Sequence, residues 1–167
     1  MTDDTTTTAD TDHARAELAD LIKDFRFAMI TTLDAQGKLV AHPLTIQEAE
    51  FDGDLWFLVS KTSSPATNLY ANDHAGVSLS SNDHWVSLSG SAALVDDRSK
   101  VRELWNPVVE AWFTNGPDDP DVGLLKFSAD SAEYWDSPGG RLASVVSFVK
   151  AKLTGESFDA TNEKLDL

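Results

Sequence analysis

Between Leu55 and Asn72 the chain reads LWFLVSKTSSPATNLYAN. Ser60, Lys61, Thr62, Ser63 and Ser64 stand between an apolar run and a second stretch with apolar Ala66, Leu69 and Tyr70. A loop that only has to turn draws more often on Gly, Asn and Asp. Hydroxyls and an ammonium ahead of a helix start offer two chemistries. They can hold an anion, with unpaired N–H groups and the positive end of the helix dipole behind them, or they can cap the helix. Residue types alone leave both open.

Elsewhere the chemistry-bearing residues are sparse. His13, His74 and His84 show no metal-ligand spacing, and the chain has no cysteine, so a zinc–thiolate site is not available. His42, just before Pro43, either bonds an anion and responds to pH or is a solvated strand residue. Asp118 and Asp119 in GPDDPD form an acidic pair, but the flanking prolines favour a capped loop over a metal site. Neither a Ser-His-Asp set nor a carboxylate pair argues for hydrolysis.

The elements that must position these groups follow from periodicity. Leu18, Leu21, Ile22 and Phe25 predict an amphipathic helix from Ala14. Phe27–Leu33 and Lys38–Gln47 flank the turn Asp34-Ala35-Gln36-Gly37 and predict a hairpin. Asp52-Gly53 turns into a buried strand over Leu55–Val59, and Pro65–Asn72 predicts a short helix with proline in its first turn. AGVSLSS and WVSLSGSAALV are two strands, and VGLLKFSAD and SAEYWDS are two more. Arg98–Phe113 is a helix with Val101, Leu104, Trp105, Val108 and Trp112 on one side, kinked or divided at Pro107. The expected organisation is a disordered acidic tail over 1–12, one domain over 13–155, and a flexible tail over 156–167. Short strands joined by hairpins predict a mainly β fold, a small closed barrel with peripheral helices.

Composition narrows the function classes. The 167 residues fit one domain with a single core. With 28 acidic and 13 basic residues the formal charge is −15, a field that repels nucleic acid and anionic membranes. No apolar stretch approaches the roughly 20 residues of a membrane-spanning helix, and the acidic start Met1-Thr2-Asp3-Asp4 has no signal-peptide pattern. A cytoplasmic protein is expected.

The order of the pieces is specific. RFAMITTLDAQGKLVAHPLT, FDGDLWFLVSKTSS, VSLSSNDHWVSLSGSAALVDD, RELWNPVVEAWFTNGPDDPD and AEYWD together resemble the pyridoxamine 5′-phosphate oxidase-like split barrels, and within them the general stress protein 26 family. The likeness runs from about Asp20 to about Thr154. It implies a six-stranded antiparallel split barrel, a homodimer with FMN in grooves between the subunits, and flavin-binding or oxidoreductase activity of unassigned substrate.

On that resemblance the loop after the LWF strand holds the FMN phosphate. His42, Leu44, Thr45, Val59, Ser60, Lys61, Ser63 and Ser64 fall at cofactor-binding positions, with Lys61 able to act as a point charge. Trp85 and Trp135 fall where a ring can cover the flavin, Arg141 at a substrate-contacting spacing, and Gln47, beside Glu48, where an amide can donate to the ring. Against the structural alternative, Trp85 and Trp135 also suit barrel-rim or interface packing, and Arg141 suits a surface helix start. The chain departs from the family pattern where His42 replaces an arginine and Ser64-Pro65 replaces a basic residue. Two further readings stay open for that reason: a split-barrel binding protein with weak or lost flavin, and a deazaflavin-dependent relative.

Overall fold

The computed structural model describes residues 15–136 and 161–166. Helix α1 covers residues 15–23, and its Leu18 and Ile22, one turn apart, are buried with Phe25 just beyond the end. Strands β1 (Phe27–Leu33) and β2 (Leu39–Thr45) then form the expected hairpin. Its turn is held by the Asp34 carboxylate, which accepts from the Gln36 and Lys38 N–H groups at 2.9 Å each. Gly37 supplies the left-handed φ of 75° that the turn requires.

Strand β3 (Asp54–Ser60) is followed by helix α2 (Ser64–Ala71), then by β4 (His74–Ser80) and β5 (His84–Val95). Helices α3 (Arg98–Leu104) and α4 (Pro107–Trp112) lead into β6 (Val122–Asp136) and β7 (Thr161–Asp166). The sheet order is β2-β1-β4-β5-β6-β3, antiparallel throughout, with β7 added to β6. This is the six-stranded antiparallel path of a split barrel. Its ends meet loosely: the Gln47 N–H donates to the Trp56 carbonyl at 3.0 Å, and among the described residues β2 and β3 form no ladder.

The unbroken apolar run in β3 now has its cause. Leu55, Phe57 and Val59 point into the main core, while Trp56 and Leu58 pack outward against Val101, Leu104, Val122 and Leu124. Both faces are covered, so alternation disappears. Phe57 and Phe127 are fully buried, each stabilising by about 1.5–3 kcal/mol relative to exposure.

Three expectations change. VGLLKFSADSAEYWD is one 15-residue strand rather than two. The polar Ser128–Ser131 stretch is a bulge: β5–β6 pairing shifts between Ser89↔Ser131 and Gly90↔Ala129, leaving Asp130 as the extra residue. The 98–113 helix is divided, as Pro107 allows, and the division resets its phase. Val101, Leu104 and Val109 are buried, whereas Val108 and Trp112 are exposed. Finally, the tail expected to be flexible over 156–167 contains β7, paired with β6 from Ser131↔Asp166 to Asp136↔Thr161. The tail expected over 1–12 lies outside the described residues. Among the described residues no helix is long and apolar enough to cross a membrane.

Candidate functional site

The loop after β3 is a tight turn built around Ser60. The Ser60 and Thr62 hydroxyls are 2.9 Å apart, and the Thr62 N–H donates to Ser60 Oγ at 3.2 Å. The Ser63 N–H and hydroxyl both donate to the Ser60 carbonyl, at 3.1 and 2.6 Å. Ser63 occupies the N-cap position of α2, yet its hydroxyl does not cap the helix, and the first turn holds no acidic residue. Pro65 removes one N–H there. Ala66, at the third helical position, is left without the side-chain oxygen that an N-cap serine ordinarily supplies.

Lys61 and Val59 are placed differently from Ser63. Val59 is 4% exposed, and its side chain belongs to the core. The Lys61 N–H donates to the Asp121 carbonyl at 2.9 Å, and its stem lies across Gly123 at the end of the barrel. Among the described residues no hydrogen bond joins its ammonium to the loop hydroxyls. Ser64 is exposed at the first helical position.

On β2, His42 pairs with Ile30, Leu44 with Ala28 and Thr45 with Phe27. His42 and Leu44 share the inward row with Ile30 and Ala28, and both are half-buried because the barrel is open along this edge. Five residues back from Gln47 and five forward from Trp56, the two residues bonded across the seam, His42 comes level with Lys61 at the start of the loop. The His42 Nδ1 is buried without a hydrogen-bond partner. An orphan ring nitrogen beside an open seam is a group available to a ligand.

Gln47, expected to donate to a flavin ring, is 4% exposed and engaged within the fold. Its amide donates to the Thr45 carbonyl at 3.2 Å, and its Oε1 accepts from Asn106 Nδ2 at 3.0 Å. Asn106 in turn caps α4, its Oδ1 accepting from the Val108 and Val109 N–H groups at 3.0 and 3.1 Å. Asn106 had a signal in the sequence, an Asn before Pro107, which is an N-cap pattern. Only the fold reveals that it also satisfies Gln47. Asn106→Ala therefore removes a cap and orphans a buried acceptor; unfolding by urea should show a loss of roughly 2–4 kcal/mol. Glu48 is exposed beside this pair.

Trp85 and Trp135 face each other directly across β5 and β6, with Trp85 41% exposed on the outer face. They are not near the hydroxyl loop. Val122, the partner of Ser60, and Trp135 sit toward opposite ends of β6, a path of about 40 Å at ~3.3 Å per residue. One chain thus gathers the loop and His42 at one end and the indole pair at the other. Arg141 and His13 lie outside the described residues.

Between those ends the outer face is unusual for so acidic a chain. One cross-strand row reads Pro43–Met29–Ser78–Ser87, the next Ala41–Thr31–Gly76–Ser89–Ser131. The first charged side chains along them are Glu133, Lys164 and Asp166 at the β6–β7 edge. Phe27, at 62%, and Met29, at 41%, stand exposed on the same face.

Asp118 and Asp119 serve the loop between α4 and β6. Asp118 pairs with Arg102, and Asp119 accepts from the Asp121 N–H and Asn115 Nδ2 at 2.9 Å each. Those bonds, the Asp121 N–H first, hold the Asp119 carboxyl below the ordinary aspartate range.

Residues 13–159 match the family described as pyridoxamine 5′-phosphate oxidase like, and the chain belongs to it. Among solved structures it is similar to a putative general stress protein 26 from Jannaschia sp. CCS1, at 31% identity, covering 95% of this chain and 99% of the other with a TM-score of 0.76. It is likewise similar to the general stress FMN/FAD binding protein of Xanthomonas citri, at 30% identity, 78% and 94% coverage and a TM-score of 0.68. The protein named bli-3 of Neurospora crassa is 30% identical over 161 residues, 89% of this chain and 76% of that one.

Proposed function

We propose that this protein is an FMN-binding flavoprotein of the general stress protein 26 type, working as a homodimer with oxidoreductase chemistry. The observation that carries this reading is the bare start of α2. A helix N-terminus whose cap serine turns away, beside further hydroxyls and without a carboxylate in its first turn, lacks an acceptor that a phosphate supplies. The orphan His42 Nδ1, level with that loop, is a further group for the same ligand. The printed name of the Xanthomonas citri relative, an FMN/FAD binding protein, supports the same cofactor.

In this reading Ser64 and the Ala66 N–H hold the phosphate, the Ser63 hydroxyl joins them by leaving the Ser60 carbonyl, and His42, Leu44 and Thr45 line the flavin along β2. Val59 and Ser60 contribute their backbone at the end of β3. The flavin itself supplies the redox chemistry; the chain binds and orients it and excludes water. Trp85 and Trp135 lie too far along β6 to cover a flavin held by their own loop. The pair therefore serves the site of a second copy, and the uncharged rows through Ser78 and Ser89 are the surface on which that copy packs.

A weaker-binding, non-catalytic variant of this reading is favoured by one feature: the loop offers hydroxyls where the family pattern has a cation. Titration of cofactor-stripped protein with FMN and riboflavin, followed by flavin fluorescence, separates the two. FMN should bind clearly more tightly than riboflavin. Ser63→Ala should weaken FMN by roughly ten- to a hundredfold, the weight of a ~1.5–3 kcal/mol charge-assisted bond, and leave riboflavin unchanged. Equal loss for both ligands removes Ser63 from the phosphate, and no saturable binding of either removes the flavin.

A further inference from the structure

Above Gly123, at the end of the barrel, two cations face one cavity. Its volume is about 300 Å³, and Lys61, Tyr70, Leu94, Val95, Arg98 and Val101 line it. Pockets that hold small molecules begin at about this size. The Lys61 stem reaches the cavity because residue 123 is glycine. A Cβ there would fall 3.0 Å from Lys61 Cγ and 2.9 Å from Leu94 Cδ2.

The charges at this cavity differ from those elsewhere among the described residues. Lys23, Lys100, Arg102, Lys126 and Lys164 each meet a carboxylate. Arg15, Arg26 and Lys38 are exposed. Lys61 and Arg98 are half-buried, and among the described residues neither makes an ion pair. Arg98 gives one bond, at 3.2 Å, to the Pro117 carbonyl, with Asp119 as a more distant carboxylate. In a protein with 28 acidic side chains, two half-buried cations face one cavity and, among the described residues, neither Asp96 nor Asp97 of its lining forms an ion pair with them, so one small anion can engage both.

The remaining lining selects which anion. Asp96 and Asp97 stand on the rim, with Asp97 Oδ1 engaged by the Lys100 N–H at 2.9 Å. Two rim carboxylates offset the two cations, so a dianion such as phosphate is disfavoured against a monoanion. The inner wall of Leu94, Val95 and Val101 is apolar, and the exposed Tyr70 ring flanks it. We propose that this cavity binds a small monocarboxylate with an aromatic or aliphatic body. The carboxylate sits on the Arg98 fork and the Lys61 ammonium, and the body lies on the apolar wall beside Tyr70. The site goes beyond the flavin reading, because Arg98, Tyr70 and Val101 belong to neither the hydroxyl loop nor β2.

Titration of the full chain with benzoate, benzyl alcohol and inorganic phosphate, followed by amide shifts in two-dimensional NMR, tests this. Benzoate should saturate and move the amides of Lys61, Tyr70, Val95 and Arg98. Benzyl alcohol and phosphate should each bind at least about tenfold more weakly, a difference of ~1.4 kcal/mol. Arg98→Met and, separately, Lys61→Met should each lower benzoate affinity about tenfold while leaving the spectrum otherwise folded. Equal binding of the alcohol, tighter binding of phosphate, shifts centred elsewhere, or no effect of either variant would overturn the proposal. Displacement of benzoate by FMN, one for one, would also overturn it by making the cavity part of the flavin site. Failure of FMN to bind at all leaves the benzoate result standing, so the two readings fail separately.

Discussion

Gly90→Ala is expected to remove a large share of the protein's stability. A Cβ on residue 90 would fall 2.0 Å from the Ser128 carbonyl oxygen and 3.0 Å from both Ala129 Cα and Ser128 C. Every one of those atoms is backbone, so no side chain can swing aside. Relief requires β5 and β6 to part at the bulge, in the middle of the longest strand pair in the sheet. A cost of at least about 4 kcal/mol follows, against a total stability of roughly 5–15 kcal/mol for a domain of ordinary stability. Urea unfolding measures it directly. Gly76→Ala is the matched control. There the nearest atom is the Leu88 carbonyl oxygen at 3.6 Å, an ordinary contact, and a change within about 1 kcal/mol is expected. If Gly90→Ala unfolds within that same margin, the close approach of β5 to β6 is not as drawn.

The second large effect is on assembly. On the proposed dimer and flavin site, Ser78→Glu is expected to yield a monomer and to lower flavin affinity more than a hundredfold, while each monomer still unfolds at nearly the same urea concentration. Ser78 is exposed, between Met29 and Ser87 on the uncharged outer face, so the new carboxylate is solvated in the monomer. In a two-fold interface it would be buried without a partner in both copies, a penalty of about 3–5 kcal/mol for each. Light scattering after size exclusion reads the first outcome and flavin fluorescence the second. A variant that stays dimeric removes this face from the interface. A monomer that binds flavin normally places the whole site within one chain.

Much of the framework was legible because it rests on local rules. The hairpin at Asp34–Gly37, the burial of Leu18 and Ile22, and the division at Pro107 follow from turn chemistry, helical period and the missing proline N–H. Errors came where a long-range contact overrode a local signal. The polar Ser128–Ser131 stretch divides this segment into two strands by sequence, yet pairing with β5 carries β6 straight through it as a bulge. Residues 161–166 have no strong strand pattern and become ordered only because β6 extends far enough to offer them an edge. Val108 and Trp112 share a face with Val101 and Leu104 only at an unbroken helical period, and the break at Trp105 and Asn106 turns them outward.

For the candidate site the division is similar. The family, the mainly β fold and the hydroxyl cluster ahead of a proline-started helix are all readable along the chain, since each is written in contiguous residues. Tertiary structure alone decided what those residues are free to do. It turned the Ser63 hydroxyl back to Ser60, committed Gln47 to Asn106, sent Lys61 across Gly123 to the cavity that Arg98 also lines, and set Trp135 at the far end of β6 with Trp85 opposite it on β5. A side chain's type is local, but its partners are chosen by strand register and by which neighbours lack a Cβ, and those are properties of the whole barrel.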